Sequence, residues 1–288
     1  MTVTGDAFIG IDHRDDIYYV ARVHYGSGRP EVKALARFES GHLAGHHLIE
    51  SGCPVLSVPD RLVRVSRLNL EPSEAFSVKD RTAFELAQMQ LEPEDDFAFD
   101  SLPIDDSGRC LGMAVRRTAL DRLSECLGPN GGTERHAVSY RPRAEALGRG
   151  YLTFCRANAG ELVCLTDVVG GCFSICFICD RRIVGLAHVE CPGADETQPA
   201  DAERLALEFR MVVNYQLSVL MEQGTSLPLS ALVLCGASDQ GALSDAMRRY
   251  FPSEVTPPQL HDGFFADSSR INHLRLDKYL VALGLTVS

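Results

Sequence analysis

No window of this 288-residue sequence approaches the about 20 consecutive apolar residues that a membrane-crossing helix needs, and no charged-then-apolar leader opens it. We therefore expect a cytoplasmic protein with no direct membrane insertion. Positive charge is scarce as well: 28 Lys and Arg stand against 39 Asp and Glu, a formal net charge of −11. Nucleic acids and anionic lipid surfaces demand clustered Lys and Arg, so neither is expected as a partner. The one local basic group, Arg135, Arg141, Arg143 and Arg149, reads as a solvated face. A P-loop and a G-x-S-x-G nucleophile elbow are also missing, which removes two common routes to phosphoryl and acyl transfer.

Metal and redox sites lack their partners too. The ten cysteines are scattered without framework spacing, several inside apolar strands, and read as reduced, buried small hydrophobes. Cys176 and Cys179 form a C-x-x-C in letters only, because a strand sends the two side chains to opposite faces and no second Cys/His pair stands at zinc spacing. His42, His46 and His47 have no carboxylate or thiol beside them and read as a surface helix. The acidic runs Glu94-Asp95-Asp96 and Asp105-Asp106 fall in polar turns and read as solvated loop tips.

What the sequence does hold is a repeated pattern. LVCLTDVVGGCFSICFICDRRIV (162–184) and FIGIDHRDDIYYVARVHY (8–25) each carry an apolar run ending in an aspartate, a few turn-prone residues and a second run leading back. Both predict a β-hairpin. Gly170-Gly171 supplies a φ > 0 turn and bare backbone that a phosphate can approach. Asp12 and Asp167 either cap their own turns or face whatever sits in them. Two such hairpins, one in each half of the chain, predict a duplicated, two-lobed fold.

The rest of the chain alternates strands and helices. Phe8–Ile11, Ile17–Tyr25 and Glu31–Phe38 predict a meander, followed by a short helix over Leu43–Glu50 and strands at Cys53–Val58 and Leu62–Leu70. A helix is expected between Ser77 and Leu91, strands at Phe97–Ile104 and Cys110–Val115, and a helix capped by Thr118 carrying Leu120, Leu123 and Leu127. Pro129–Thr133 marks a boundary zone. Beyond it, Ala144–Ala157 is helical or extended, and Arg182–Val189 is a return strand. A long helix capped by Asp201 carries the stripe Leu205, Phe209, Val212, Val213, Leu217, Leu220 and Met221, expected to be core. Ala231–Leu234 is a buried strand leading into the tight turn Cys235–Ser238. A helix over Asp239–Tyr250, a strand near Val255 and a closing helix over Leu274–Leu283 follow.

This order of parts resembles the actin-like ATPase superfamily, and within it the PilM family and its relative FtsA. The passages that carry the resemblance are VLSVPDRLVRVSRLNL, AFELAQMQLEPED running into FAFDSLPI, GMAVRRTALDRLSECL, LTDVVGGCFSICFI, LALEFRMVVNYQLSVL, ALVLCGASDQGALSDAMRRYF and YLVALGLTV, in order along nearly the whole chain. The resemblance implies an α/β, RNase H-like, duplicated fold: a first lobe over about residues 1–150, with a small inserted α+β subdomain at about 55–127, and a second lobe over 151–288. It also implies an interlobe cleft for ATP and magnesium, lined here by Asp12, by Asp167, Gly170, Gly171 and Ser174, and by Gly236 and Ser238. The first turn departs from the family, reading Asp12-His13-Arg14-Asp15-Asp16 where relatives offer Gly and Ser followed by Lys. Asp15 and Asp16 would face a phosphate tail, and a like-charge contact at about 4 Å costs on the order of 1 kcal/mol in water and several in a partly buried cleft. His13 or Arg14 offsets part of that. Cys235 stands where relatives carry a further glycine.

The expectation is therefore a non-catalytic scaffold with no bound cofactor, ATP and magnesium being the alternative. The resemblance implies a PilM-like component of a type IV pilus or type II secretion machine, peripheral at the inner membrane. It would hold the short cytoplasmic tail of a PilN-like partner in a groove at the inserted subdomain, with a secretion or pilus ATPase as a further partner. The related secretion L protein differs in carrying its own anchor. The rival readings are an active ATPase or small-molecule kinase of this fold and an FtsA-like filament former.

Overall fold

The computed structural model describes residues 7–14, 16–26, 29–39, 43, 52–70, 77–89, 94–127, 138–156, 160–225, 227–236, 241–251, 254–265 and 275–287. Strands rich in β-branched and aromatic residues open the chain. β1 (Ala7–Arg14), β2 (Ile17–Tyr25) and β3 (Pro30–Glu39) pair antiparallel in sequence order, and β4 (Cys53–Val58) joins β1 in parallel. Next come β5 (Val63–Asn69), α1 (Val78–Gln88), β6 (Phe97–Pro103), β7 (Arg109–Arg116) and α2 (Arg117–Ser124). β8 (Ser139–Pro142) returns to pair with β4, and α3 (Arg143–Phe154) crosses to a second set of strands. These are β9 (Leu162–Val169), β10 (Cys172–Cys179) and β11 (Arg182–Glu190), followed by α4 (Pro199–Glu222), β12 (Leu229–Cys235), α5 (Ala242–Tyr250), β13 (Glu254–Thr256) and α6 (Leu280–Leu285).

The two large sheets have one plan, β3-β2-β1-β4-β8 and β11-β10-β9-β12-β13. In each, an antiparallel meander is extended beyond its first strand by two parallel strands. A strand in the middle of such a sheet, covered on its faces by helices, has to be apolar on both sides. β9 meets that demand, buried along all but its last residue. Helix α3 packs on β9, β10 and β11, whereas α6, from the far end of the chain, packs back on β1, β2 and β4. The two helices touch so closely that a Cβ on Gly284 would stand 1.7 Å from the Ala146 carbonyl oxygen.

A third sheet, β5-β7-β6, is inserted between β4 and β8. The alternation along β7 divides it cleanly. Cys110 and Ala114 join Leu68, Leu86 and Phe97 in a small core with α1, while Leu111, Met113 and Val115 belong to the same core as β9–β11. Arg67 and Arg109 tighten this attachment, donating to the side-chain and backbone oxygens of Gln223 at 2.7 and 2.8 Å. The inserted sheet thus packs on the second lobe, although it leaves the chain from the first. Val55–Val58, expected within the insertion, lie in the first-lobe sheet instead.

Several local expectations need correction. Thr118 does not cap α2: the helix begins at Arg117 and its N-cap, Arg116, makes no side-chain cap bond. Asp201 is likewise inside α4, whose N-cap is Gln198 with Pro199 following; its carboxylate accepts the Asp195 N–H at 3.0 Å and favours the positive helix end. Met221 is 66% exposed, so the core stripe of α4 stops at Leu220. The closing helix is a short 3₁₀ turn, Leu276–Tyr279, running into α6. The helix expected over Leu43–Glu50, the three histidines 42, 46 and 47, and Arg135 lie outside the described residues, Leu43 apart. The described cysteines form no disulfide with one another, and burial pushes the Cys176 thiol well above its usual pKa. Among the described residues no helix is long and apolar enough to cross a membrane.

Candidate functional site

Strand periodicity builds the floor of the interlobe cleft. Asp12 and Arg14, two residues apart on β1, share one face, and Asp167 reaches the same point from β9. Both carboxylates are inaccessible to solvent, at 0% and 1% exposure. Two isolated anions buried together would cost several kcal/mol each, so cations have to be present. They come from the chain itself. Arg14 places Nε 2.8 Å from Asp12 Oδ2 and Nη1 3.1 Å from Asp167 Oδ1, while its Nη2 donates to the Lys278 carbonyl at 2.7 Å. Arg143, the first residue of α3, places Nη2 3.0 Å from both Asp12 Oδ2 and Asp167 Oδ2. Its Nε donates to Asp167 Oδ2 at 3.1 Å and its Nη1 to the His13 carbonyl at 3.3 Å.

Burial works against the Arg14 charge, but Asp167 and Asp12 outweigh it and hold its pKa above the ordinary arginine value. The guanidinium also lies over the Tyr19 ring, 4.9 Å from its centroid. Asp12 Oδ1 and Asp167 Oδ1 receive no hydrogen bond among the described residues, although the second is the atom lying 3.1 Å from Arg14 Nη1.

The second turn has the form its glycines imply. Gly170 and Gly171 take φ of 52° and 75° as the two-residue loop between β9 and β10, and a Cβ on Gly171 would come within 2.7 Å of the Cys191 carbonyl oxygen. Ser174 is buried opposite Asp167. The third turn brings Gly236 against the ion cluster: at φ 78°, a Cβ there would meet Asp167 Oδ1 at 2.6 Å and Arg14 Nη1 at 3.0 Å. Ser238 lies outside the described residues, as does Asp15; Asp16 is exposed at the tip of the first turn.

Beside the cluster opens a cavity of about 290 Å³ whose lining includes His13, Asp60, Arg143, Gly170, Ser174 and His188. The His13 ring stacks on Tyr18 at 4.5 Å, and the His13 backbone N–H donates to Ser57 Oγ at 3.3 Å. Asp60 accepts the Ala144 N–H at 3.0 Å and so caps the first turn of α3, whose own N-cap, Pro142, has no side chain able to do so. Burial pushes the Asp60 carboxyl up to about 6, with the Ala144 N–H, Ser174, Arg143 and His188 pulling it back.

Sequence reasoning named Asp12, Asp167, Gly170, Gly171, Ser174 and Gly236; the structure gathers Asp12, Asp167 and Gly236 at the ion cluster and lines the cavity beside it with Gly170 and Ser174, while Gly171 packs on Cys191 and Ala194. It gave Arg14 a partial role and missed Arg143. Arg143 and Arg141 were expected on a solvated face; instead Arg143 is buried between the aspartates, and Arg141 donates to the carbonyls of Gly284, at 2.9 Å, and Val287 at the end of α6. The available signal was the Asp-x-Arg spacing on β1, which fixes a shared face but not a partner.

Among the described residues, the Asp12–Asp167 pair does not fit a magnesium ion. The Oδ2 atoms of both aspartates already accept guanidinium hydrogens, every Arg14 and Arg143 nitrogen is engaged by a protein oxygen, and no group of three or more His, Cys, Asp or Glu able to hold a metal occurs among the described residues.

Neither a family model nor a curated protein matches the sequence. Solved structures do match. A PilM–PilN type IV pilus biogenesis complex aligns with a TM-score of 0.69 at 14% identity, over 96% of this chain and 97% of that one. The cytoplasmic domain of EpsL, an inner-membrane component of the type II secretion system of Vibrio cholerae, aligns at 0.52 and 12%, over 98% and 96%. A Bacteroides thetaiotaomicron protein with an actin-like ATPase fold and unknown function aligns at 0.51 and 9%, over 87% and 90%. At such identities the likeness is one of fold alone, and it extends over nearly the whole chain: this chain has the actin-like ATPase fold that those structures share.

Proposed function

We propose that the chain is a non-catalytic, cytoplasmic scaffold that holds the N-terminal tail of a PilN-like inner-membrane partner, as part of a pilus or secretion machine. One observation carries the non-catalytic half of the reading: Asp12 and Asp167 are neutralised by Arg14 and Arg143, which leaves neither of them free to position a metal, a water or an acceptor hydroxyl. The fold shared with a PilM–PilN complex and with the EpsL cytoplasmic domain supports the other half. In this reading residues 1–150 and 151–288 are rigid lobes, and attachment to the membrane comes through the partner, with a pilus or secretion ATPase binding elsewhere.

The inserted sheet is the docking element in this reading. Both of its faces are taken, one by α1 and one by the second lobe. What remains for an extended peptide is a strand edge, and among the described residues β5 and β6 each pair on one side only. The test is titration with a synthetic peptide matching the N-terminal cytoplasmic tail of a PilN-like inner-membrane protein. Saturable binding with NMR shifts in residues 63–69 or 97–103 is expected. Absence of binding, or shifts confined to the interlobe cleft, would reject the scaffold reading.

A further inference from the structure

We propose that Arg14 and Arg143 are resident cations that lock the two lobes together, occupying the place between Asp12 and Asp167 where the fold would otherwise take a divalent metal, so that the closed form depends on neither metal nor nucleotide. This holds whether or not the chain is a scaffold, since it concerns how the cleft stays shut and not what binds outside it.

The charges balance within the site, two carboxylates against two guanidiniums, with side-chain contacts of 2.8–3.1 Å. The four groups come from three places, β1, β9 and the start of α3, and Arg14 Nη2 adds a fourth by binding the Lys278 carbonyl just before α6. A single guanidinium therefore ties the central strand of the first lobe to that of the second and to the segment that leads into the first lobe's supporting helix. A planar fork with donors on three nitrogens can do this; a point charge cannot. Magnesium needs oxygen ligands at about 2.0–2.1 Å, and the guanidiniums stand on the oxygens that would supply them. Gly236 completes the enclosure, since nothing larger fits beside Asp167 Oδ1 and Arg14 Nη1. Asp12 Oδ1 is the acceptor left over, buried and without a hydrogen bond. Removing Arg14 would leave that atom and Asp167 Oδ1 as two bare acceptor positions, with Asp12 Oδ2 held by Arg143 alone, in a site carrying one excess negative charge.

The experiment compares the melting temperatures of the full wild-type chain and of Arg14→Gln with EDTA, with millimolar magnesium chloride and with millimolar Mg-ATP. Wild type is expected to melt at one temperature in all three. Arg14→Gln is expected to melt lower in EDTA and to recover part of the loss on adding magnesium. A wild-type chain raised by several degrees by magnesium or Mg-ATP, or an Arg14→Gln chain that melts like wild type in EDTA or does not respond to magnesium, overturns the proposal. If Arg14→Gln is recovered unfolded under every condition, Arg14→Lys, which keeps the charge but loses the fork, carries the test through amide exchange at residues 12 and 167. Exchange faster by about tenfold or more at both positions supports the lock, and exchange at the wild-type rate rejects it.

Discussion

In the first lobe the sheet meets its supporting helix at a glycine on the strand; in the second the glycine is on the helix. A Cβ on Gly10 of β1 would stand 1.9 Å from the Ala282 carbonyl oxygen of α6 and 3.0 Å from Leu285 Cβ. A Cβ on Gly148 of α3 would meet Cys176 Sγ at 2.5 Å and Ile183 Cδ1 at 2.8 Å. One sheet plan has therefore been packed twice with the small residue on opposite partners. Duplicated architecture preserves strand order and the helix-on-sheet layer, while the side chains that make room for the contact drift independently.

The two glycines should not be equivalent. Gly10→Ala drives a methyl group into backbone on an adjacent element, which cannot rotate away, and we expect a loss of about 3 kcal/mol or more. Gly148→Ala meets the ends of side chains and gains about 1 kcal/mol of helix propensity, so a net loss of about 1 kcal/mol is expected. Adding Cys176→Ala to the second variant should return most of it. Urea midpoints at unchanged m-value read these differences. Equal losses at the two positions would show that the lobes are packed alike after all.

The turns make a second contrast. Gly171 sits at φ 75° with the Cys191 carbonyl 2.7 Å from where a Cβ would be, so Gly171→Ala should cost about 2 kcal/mol through backbone strain and contact together. At the matching turn of the first lobe, Asp16 is exposed at the tip, and Asp16→Ala should stay within about 0.5 kcal/mol. A substantial loss at Asp16 would mean that the first turn is held by contacts of its own, and the asymmetry drawn here would fail.

Period-2 alternation and turn residues made the meanders, the second hairpin and the strands near 97–104 and 110–115 legible from sequence, because those signals are local. β7 shows the limit of that reading. Its alternation predicts two faces, but whether Leu111, Met113 and Val115 turn to the first lobe or the second depends on partners remote in sequence. Helix starts were misplaced for a related reason: Thr118 and Asp201 are good capping residues by type, yet Arg117 and Pro199 already lie in the helix, so the chain turns earlier than the cap rule suggests. Arg143 was illegible because an arginine after a proline in a polar stretch is ordinarily solvated. Only the convergence of Asp12 and Asp167 makes it a buried cation. Charge counting along the first turn weighed Asp15 and Asp16 and gave Arg14 a partial role, whereas Arg14 bridges both buried aspartates.

The two crossing helices also differ in how they are capped. The first-lobe side supplies both caps: Arg141 for the carbonyl end of α6, and Asp60 for the N–H end of α3. The first is a permanent charge and the second titrates. With its carboxyl raised from 3.8 to about 6 in the folded chain, Asp60 binds its proton more tightly folded than unfolded. Its contribution to stability is fully present below pH 3.8 and is lost as pH rises through about 6. Asp60 is partly open to the cavity, so the step is on the order of 1 kcal/mol and not the full value of the shift. Asp60→Asn keeps an oxygen for the Ala144 N–H while removing the charge, and unfolding free energies measured across that window should lose the step. If the step persists in Asp60→Asn, Asp60 is not its source, and the capping of α3 is not what makes the junction lose stability as pH rises.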